Sequence, residues 1–149
     1  MTLTLHLGVI EMPYASPGGK TTGDVAELLE QKYHVMETFA EDIGLDVIQK
    51  AIEQSAKNAV ESLILGGSRS GSNSANMSLT LEAEGEIEAA FKLWLSQQEM
   101  DYTQPGVPTQ ASLKGVSHRL KRANAKTNTA RPSFIDTGLY QSSMKAWLD

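Results

Sequence analysis

Apolar residues recur at steps of three and four between residues 21 and 63, and this period constrains the fold more than any other feature. Such spacing places apolar side chains on one face of a helix. The first apolar stripe, interrupted at Lys32, comprises Val25, Leu28, Leu29, Met36, Phe39 and Ile43. The second stripe, which includes small residues, comprises Leu45, Ile48, Ile52, Ser55, Ala56, Ala59, Val60 and Leu63. The pattern predicts two amphipathic helices, and Gly44 between them is either a true break or a kink in one long helix.

The residues before the first stripe predict a short strand and then a capped helix start. Leu3 and Leu5 alternate with polar residues, as in a strand with one buried face. Thr21 or Thr22 is suited to cap the first helix, because a hydroxyl oxygen can accept a free N–H group of the first turn. Asp24 follows within that turn, where a negative charge is favourable.

Residues 66–78, GGSRSGSNSANMS, contain almost no apolar side chains and are rich in Gly, Ser and Asn. This composition predicts a flexible loop. Beyond the loop, a third apolar stripe with helical spacing comprises Ile87, Ala90, Phe91, Trp94 and Leu95. We expect this third helix to end near Met100.

The last third of the chain differs in kind. Residues 102–133 contain three prolines, no acidic residue and few large apolar residues. We expect at most a short helix over residues 110–122, in a segment that needs partners to become ordered. Residues 134–148 are apolar again, and Thr137 is suited to cap a short helix there. The sequence as a whole predicts a mainly α (α+β) fold, with amphipathic helices, a short N-terminal strand and an extended C-terminal arm.

Charge divides the 149-residue chain into two regions of one domain. Residues 1–101 hold 16 acidic and 6 basic residues, a net charge of −10, and form an acidic helical body. Residues 102–149 hold 7 basic and 2 acidic residues, a net charge of +5, and form a basic arm. Opposite charges at two regions of a chain favour contact between neighbouring subunits. The alternative is chance clustering on a solvated surface.

Composition removes several classes of protein. There is no cysteine, so disulfides and thiolate metal sites are excluded. No apolar run approaches the roughly 20 residues of a membrane span. Residues 1–10 lack the basic flank and apolar stretch of a signal peptide. We therefore expect a protein that is made in the cytosol and has no membrane partner.

The sequence also offers little for catalysis, a cofactor or a metal. Residues 66–72 lack the lysine of a phosphate-binding loop, and Tyr14 stands where such a loop would need glycine before residues 18–21, GGKT. The histidines are spread over three segments, without the spacing of a zinc hydrolase, at His6, His34 and His118. We expect a non-enzymatic protein, and a small hydrolase with a dispersed site ranks last among the alternatives.

Residues 114–131 carry the strongest competing signal. Six basic residues fall there without an intervening acid, namely Lys114, Arg119, Lys121, Arg122, Lys126 and Arg131. Such a segment could bind phosphates, so the alternative function is a nucleic-acid-binding module. The segment has no aromatic residues to stack on bases, and the acidic body would repel a polyanion. An acidic face of a neighbouring protein accounts for both halves of the charge pattern.

Three segments resemble neck proteins of tailed bacteriophages. Residues 131–148, RPSFIDTGLYQSSMKAWL, resemble the Arg-Pro-x-x-Ile-Asp-Thr-Gly-x-x-x-x-Ser pattern of phage neck and tail-completion proteins. Residues 115–122, GVSHRLKR, look like the companion basic segment, and residues 13–39 also look phage-like. In many tail-completion proteins the Thr-Gly turn leads into further strands, whereas this sequence stops at Asp149. That difference favours a shorter, more helical connector or collar variant.

The resemblance implies a structural protein of the virion neck, synthesised in the host cytoplasm. Such proteins form homo-oligomeric rings, commonly six- or twelve-fold, between the portal and the tail. The implied partners are neighbouring portal, head–tail or tail proteins. Genomic DNA would pass through the channel without sequence-specific binding, and a net-acidic wall would let it slide.

We expect residues 110–148 to contact a neighbouring subunit. The predicted ion-pairing residues are Arg119, Lys121, Arg122 and Arg131. The predicted buried anchors are Phe134, Ile135, Tyr140, Met144 and Trp147. The alternative is that these apolar residues complete the core of their own subunit.

Overall fold

The computed structural model describes residues 4–15, 18–65, 72–115 and 129–148. Within those ranges the elements in chain order are β1 Leu5–Val9, α1 Thr22–Tyr33, α2 Val35–Asp42, α3 Gly44–Ile64, α4 Ser72–Ser96, α5 Gln110–Leu113, α6 Leu139–Ser143 and β2 Met144–Leu148. The described part is mostly helical, with one two-stranded antiparallel sheet. The predicted mainly α fold with a short N-terminal strand is therefore confirmed.

Helix α1 begins as its capping residues predict. Thr21 is the N-cap, and its hydroxyl oxygen accepts the N–H of Asp24 at 3.3 Å. The Asp24 carboxylate accepts the N–H of Thr21 at 2.8 Å, which completes a capping box. The buried Thr22 hydroxyl accepts from the N–H of Met12 at 2.8 Å and donates to the carbonyl of Ile10. These bonds fix the start of α1 to the chain that follows β1.

The single helix predicted for the first apolar stripe is wrong, because the chain breaks at His34. This residue has φ 50° and ψ 48°, a left-handed conformation that histidine tolerates better than most residues. The Glu30 carboxylate compensates by accepting the N–H of Met36 at 2.8 Å and that of Glu37 at 3.1 Å. The sequence does not indicate this break between helices, because the apolar stripe resumes immediately in α2.

A change of helix also occurs at Gly44. Helix α2 ends at Asp42 and α3 begins at Gly44, with Ile43 between them in a helical conformation. The N–H of Ile43 still bonds the carbonyl of Phe39 at 3.0 Å, as it would within a helix. The junction therefore separates two helices by one residue.

Helices α3 and α4 form a long hairpin and pack along each other. Residues 72–78, predicted as part of a flexible loop, belong to α4, whereas residues 66–71 lie outside the described part. The loop prediction rested on polar composition alone, and packing of one helix along another overrides such local preferences. Helix α4 ends at Ser96, four residues before the predicted end, and turns carry the chain through Met100.

Only four residues of the helix predicted over residues 110–122 are observed as α5. Thr109 caps it by accepting the N–H of Ser112 at 3.2 Å. Residues 116–128 lie outside the described part, and the N–H of Arg131 bonds the carbonyl of Ser112 at 3.0 Å. The described chain on both sides of residues 116–128 is therefore held together.

The end of the described chain does not extend from the body. The predicted short helix is present as α6, but its N-cap is Gly138 and not Thr137. The Thr137 hydroxyl accepts the N–H of Leu139 at 3.3 Å. The next five residues form β2, which pairs antiparallel with β1 from Leu5↔Leu148 to Val9↔Met144. A strand thus follows the Thr-Gly turn, where the sequence predicts none. Pairing with a strand over 130 residues away is a long-range interaction that local patterns do not reveal.

The core lies between the α4 helix, α2 and the C-terminal segment. Its buried residues are Val35, Phe39, Ile87, Phe91, Trp94, Leu95, Met100, Val107, Tyr140, Met144 and Ala146. Phe91 contacts Phe39 at 5.1 Å and Tyr140 at 6.1 Å between ring centroids. Among the described helices, none is long and apolar enough to cross a membrane.

Candidate functional site

Two of the predicted interface anchors lie in the chain's own core. Tyr140 on α6 and Met144 on β2 are both buried against the aromatic cluster of α2 and α4. Pairing of β2 with β1 draws these side chains inward, so they do not face a neighbour. For these two residues the interface prediction is replaced by its alternative, completion of the subunit's own core.

The predicted ion-pairing residue Arg131 also acts within its own chain. Its guanidinium donates to the carbonyl of Ile135 and lies 3.4 Å from the carboxylate of Asp136. Phe134 has φ 66° and places its ring 5.2 Å from that of Tyr33 on α1. Phe134 and Ile135 are both half-buried against the core. Arg131 therefore fixes the conformation of residues 131–136 on the body.

Trp147 is the predicted anchor that stays at the surface. Its side chain is 45% exposed and stacks on His6 of β1, with ring centroids 5.5 Å apart and planes within 9°. The ring also covers Gly8, where an added Cβ would come within 2.9 Å of it. The remaining predicted interface residues, Arg119, Lys121 and Arg122, lie outside the described residues.

A pocket that the sequence did not predict lies between α1 and the segment of residues 131–140. Its volume is about 310 Å³, within the range of ligand pockets. The apolar part of its lining includes Tyr14, Val25, Leu28, Leu29, Phe134, Leu139 and Tyr140. Leu28 belongs to the apolar stripe of α1 and is nonetheless 51% exposed, because the pocket leaves it uncovered.

The charged residues of this pocket are mostly basic. Lys20, Lys32 and Arg131 line it, opposed by the single carboxylate of Asp136. Lys32 is the residue that interrupts the apolar stripe of α1, and its ammonium lies 5.0 Å from the ring centre of Tyr33. A lysine within the apolar stripe is the one signal in the sequence that could have indicated a pocket on this face of α1.

Tyr140 adds an unusual polar group to the pocket wall. Its hydroxyl is buried, and no hydrogen-bond partner for it is found within the described ranges. Burial raises the pKa of this hydroxyl far above its usual value, and Glu30 and Tyr14 raise it further. The group therefore stays protonated at any physiological pH and is a permanent donor.

The end of the α3–α4 hairpin presents the second notable surface. Leu63, Ile64 and Leu65 are 69%, 76% and 85% exposed, and Val60 is also exposed. The sequence placed Val60 and Leu63 on a buried stripe, but α3 leaves the body before it reaches them. Adjacent exposed apolar residues indicate an interaction surface, whereas single ones do not. The hairpin end, defined as residues 60–65, is such a surface.

A cluster of Glu30, His34 and Glu37 has the ligand types of a metal site. Its possible ligand atoms lie within 4.8 Å of one another. The two Glu30 oxygens accept backbone N–H groups of α2, and the His34 Nδ1 atom lies 2.8 Å from the Glu37 carboxylate. These bonds serve the junction of α1 and α2, which accounts for the residue types without an ion.

Buried hydrogen bonds also join α5 and the turn at Asp101 to the C-terminal segment. The hydroxyls of Ser112 and Ser133 lie 3.1 Å apart, and Ser133 also bonds the Asp101 carboxyl. Burial raises the pKa of Asp101, and the Ser133 hydrogen bond partly offsets this. One Asp101 oxygen is buried with no partner in the part of the chain that is described.

The arrangement thus offers a basic, apolar pocket and an exposed apolar hairpin end, and both are suited to binding. Comparison of the chain with protein-family models, with curated proteins and with solved structures finds no match.

Proposed function

We propose that this chain is a structural, non-enzymatic subunit that assembles with copies of itself into a ring in the neck of a tailed bacteriophage. The observation that carries the self-assembly is the exposed hairpin end at residues 60–65. A run of exposed apolar residues at the end of a long hairpin is costly in water, and contact with another molecule removes that cost.

A contact between two unlike surfaces would favour a ring over a simple dimer. The hairpin end and the pocket are different surfaces, so a contact between unlike surfaces of two copies can repeat around an axis. Repetition of such a head-to-tail contact closes into a ring when the rotation between copies divides a full turn. The number of subunits in the ring, six or twelve, comes from the resemblance to neck proteins.

The placement in a phage neck rests on the resemblance of residues 131–148. Residues of that pattern have structural roles in this chain, which supports treating the pattern as one unit. Arg131 pairs with Asp136, the Thr137 hydroxyl accepts the N–H of Leu139, and Gly138 has φ 76°, a conformation that favours glycine. In the proposed neck, portal, head–tail or tail proteins lie on either side of the ring. Genomic DNA passes through it without sequence-specific contacts.

Electron microscopy of the purified chain, alone and mixed with the portal-side proteins of the same phage, tests this proposal. We expect closed rings, and native mass spectrometry should give a mass that is a whole multiple of the 16.2 kDa subunit. A strict monomer at high concentration, also in the presence of those proteins, would contradict the proposal.

A further inference from the structure

We propose that the hairpin end of one copy docks into the pocket between α1 and residues 131–140 of the next copy. This inference rests on the proposed function, since it names the contact through which the copies assemble. Four observations support this docking. They are the apolar exposure of the hairpin end, the apolar lining of the pocket, the opposite charges of the two surfaces, and their placement in different parts of the subunit.

The hairpin end supplies the apolar part of the contact. Val60, Leu63, Ile64 and Leu65 are each more than half exposed. The pocket supplies apolar walls to receive them, with the exposed Leu28 at its opening. Docking would remove apolar surface of both copies from water, which is the main favourable term in association.

Charge matches the same two surfaces. The hairpin end carries one acidic residue, Glu61, which is exposed. The pocket presents Lys20, Lys32 and Arg131 against one carboxylate. An apolar surface with one acidic residue is thus the complement of a basic, apolar pocket.

The two surfaces belong to different parts of the subunit. Helix α3 has 21 residues and so extends about 30 Å from Gly44, which adjoins the α2 junction, to its end. The pocket is built by α1 and the C-terminal segment on the body itself. The contact therefore joins two copies, in the head-to-tail manner that a ring requires.

Two full-length double variants test the docking. The hairpin variant, Leu63→Gln with Ile64→Gln, removes the apolar side chains and keeps helix-compatible residues. The rim variant, Lys20→Glu with Lys32→Glu, reverses the charge of the pocket. All four side chains are exposed, so both variants should fold. Thermal unfolding followed by circular dichroism checks that they do.

Sedimentation velocity should show that each variant self-associates about thirtyfold more weakly than the wild type, or worse, as expected for loss of a central interface residue. Leu93→Gln is the matched control, because Leu93 is 57% exposed on α4 and lies outside both surfaces. This control should assemble as the wild type does.

Mixing the two variants gives the sharpest outcome. The hairpin variant keeps an intact pocket and the rim variant keeps an intact hairpin end, so the mixture should form a one-to-one pair and grow no further. Adding Glu61→Lys to the rim variant should restore assembly.

If the wild type assembles and both variants assemble equally well, the docking is overturned while the ring-forming function stands. If the wild type itself never assembles, the proposed function fails instead.

Discussion

At the scale of single residues, two buried polar groups are inconsistent with a chain selected only for stability. The Tyr140 hydroxyl and one Asp101 oxygen are buried without partners in the described ranges. A buried polar group that lacks a hydrogen bond costs roughly 1–3 kcal/mol, so each of these two groups is expected to lower the stability of the fold.

Replacing Tyr140 by Phe tests the cost of burying its hydroxyl. We expect Tyr140→Phe to leave the free energy of unfolding unchanged or to raise it by about 1 kcal/mol, because the variant no longer buries an unpaired hydroxyl. Urea denaturation measures this effect. Tyr102→Phe, at an exposed tyrosine, is the control and should leave the free energy of unfolding unchanged. A clear loss of stability in Tyr140→Phe would show that the hydroxyl is already bonded within the subunit.

Asp101 should make stability depend on pH. Its pKa in the folded chain is raised above the ordinary value of 3.8 by burial. Between 3.8 and the raised pKa, the folded chain binds more protons than the unfolded chain, so the free energy of unfolding falls as pH rises through that window. Asp101→Asn removes this titration. Urea denaturation at several pH values should show the variant gaining on the wild type from pH 4 upward; a constant difference would refute the expectation.

At the scale of elements, the junction of α1 and α2 depends on one side chain from the preceding helix. Glu30 reaches past His34 and accepts two N–H groups of α2. These are charge-assisted bonds at the positive end of a helix, where a carboxylate is most favourable. The left-handed His34 would otherwise leave α2 without a cap, since its own side chain makes no capping bond.

Removing that carboxylate should destabilise the fold by a measurable amount. We expect Glu30→Ala to lower the free energy of unfolding by about 1 kcal/mol, the usual cost of losing a helix cap. Glu27→Ala is a matched control, since Glu27 is an exposed glutamate of the same helix that bonds only the side chain of Gln31 among the contacts described. The control should change stability by less than about 0.5 kcal/mol. Equal effects in urea denaturation would show that the cap is unimportant.

At the scale of the whole molecule, residues 129–148, the described end of the segment predicted to contact a neighbour, instead pack on their own subunit. Strand β2 pairs with β1, and Lys145 bonds the Glu88 carboxylate on α4 at 2.9 Å. The proposed surfaces for assembly are therefore the hairpin end and the pocket, in place of the predicted arm. This is the reason that the ring is proposed to form by docking of residues 60–65 into the pocket, to which residues 134–140 contribute only as part of the body.

The sequence by itself determined the mainly helical class of the fold, the N-terminal strand and the start of α1, because these follow from side-chain period and from capping groups within four residues. The short helix α6 was predicted as well, although Gly138 and not Thr137 is its N-cap. Only the tertiary structure decided the break at His34, the strand β2, the pocket beside Lys32 and the exposure of Leu63. Each depends on residues far apart in the chain, or on which part of a helix leaves the body. A periodic stripe shows which side chains share a face, but the packing of the whole chain decides whether that face is covered.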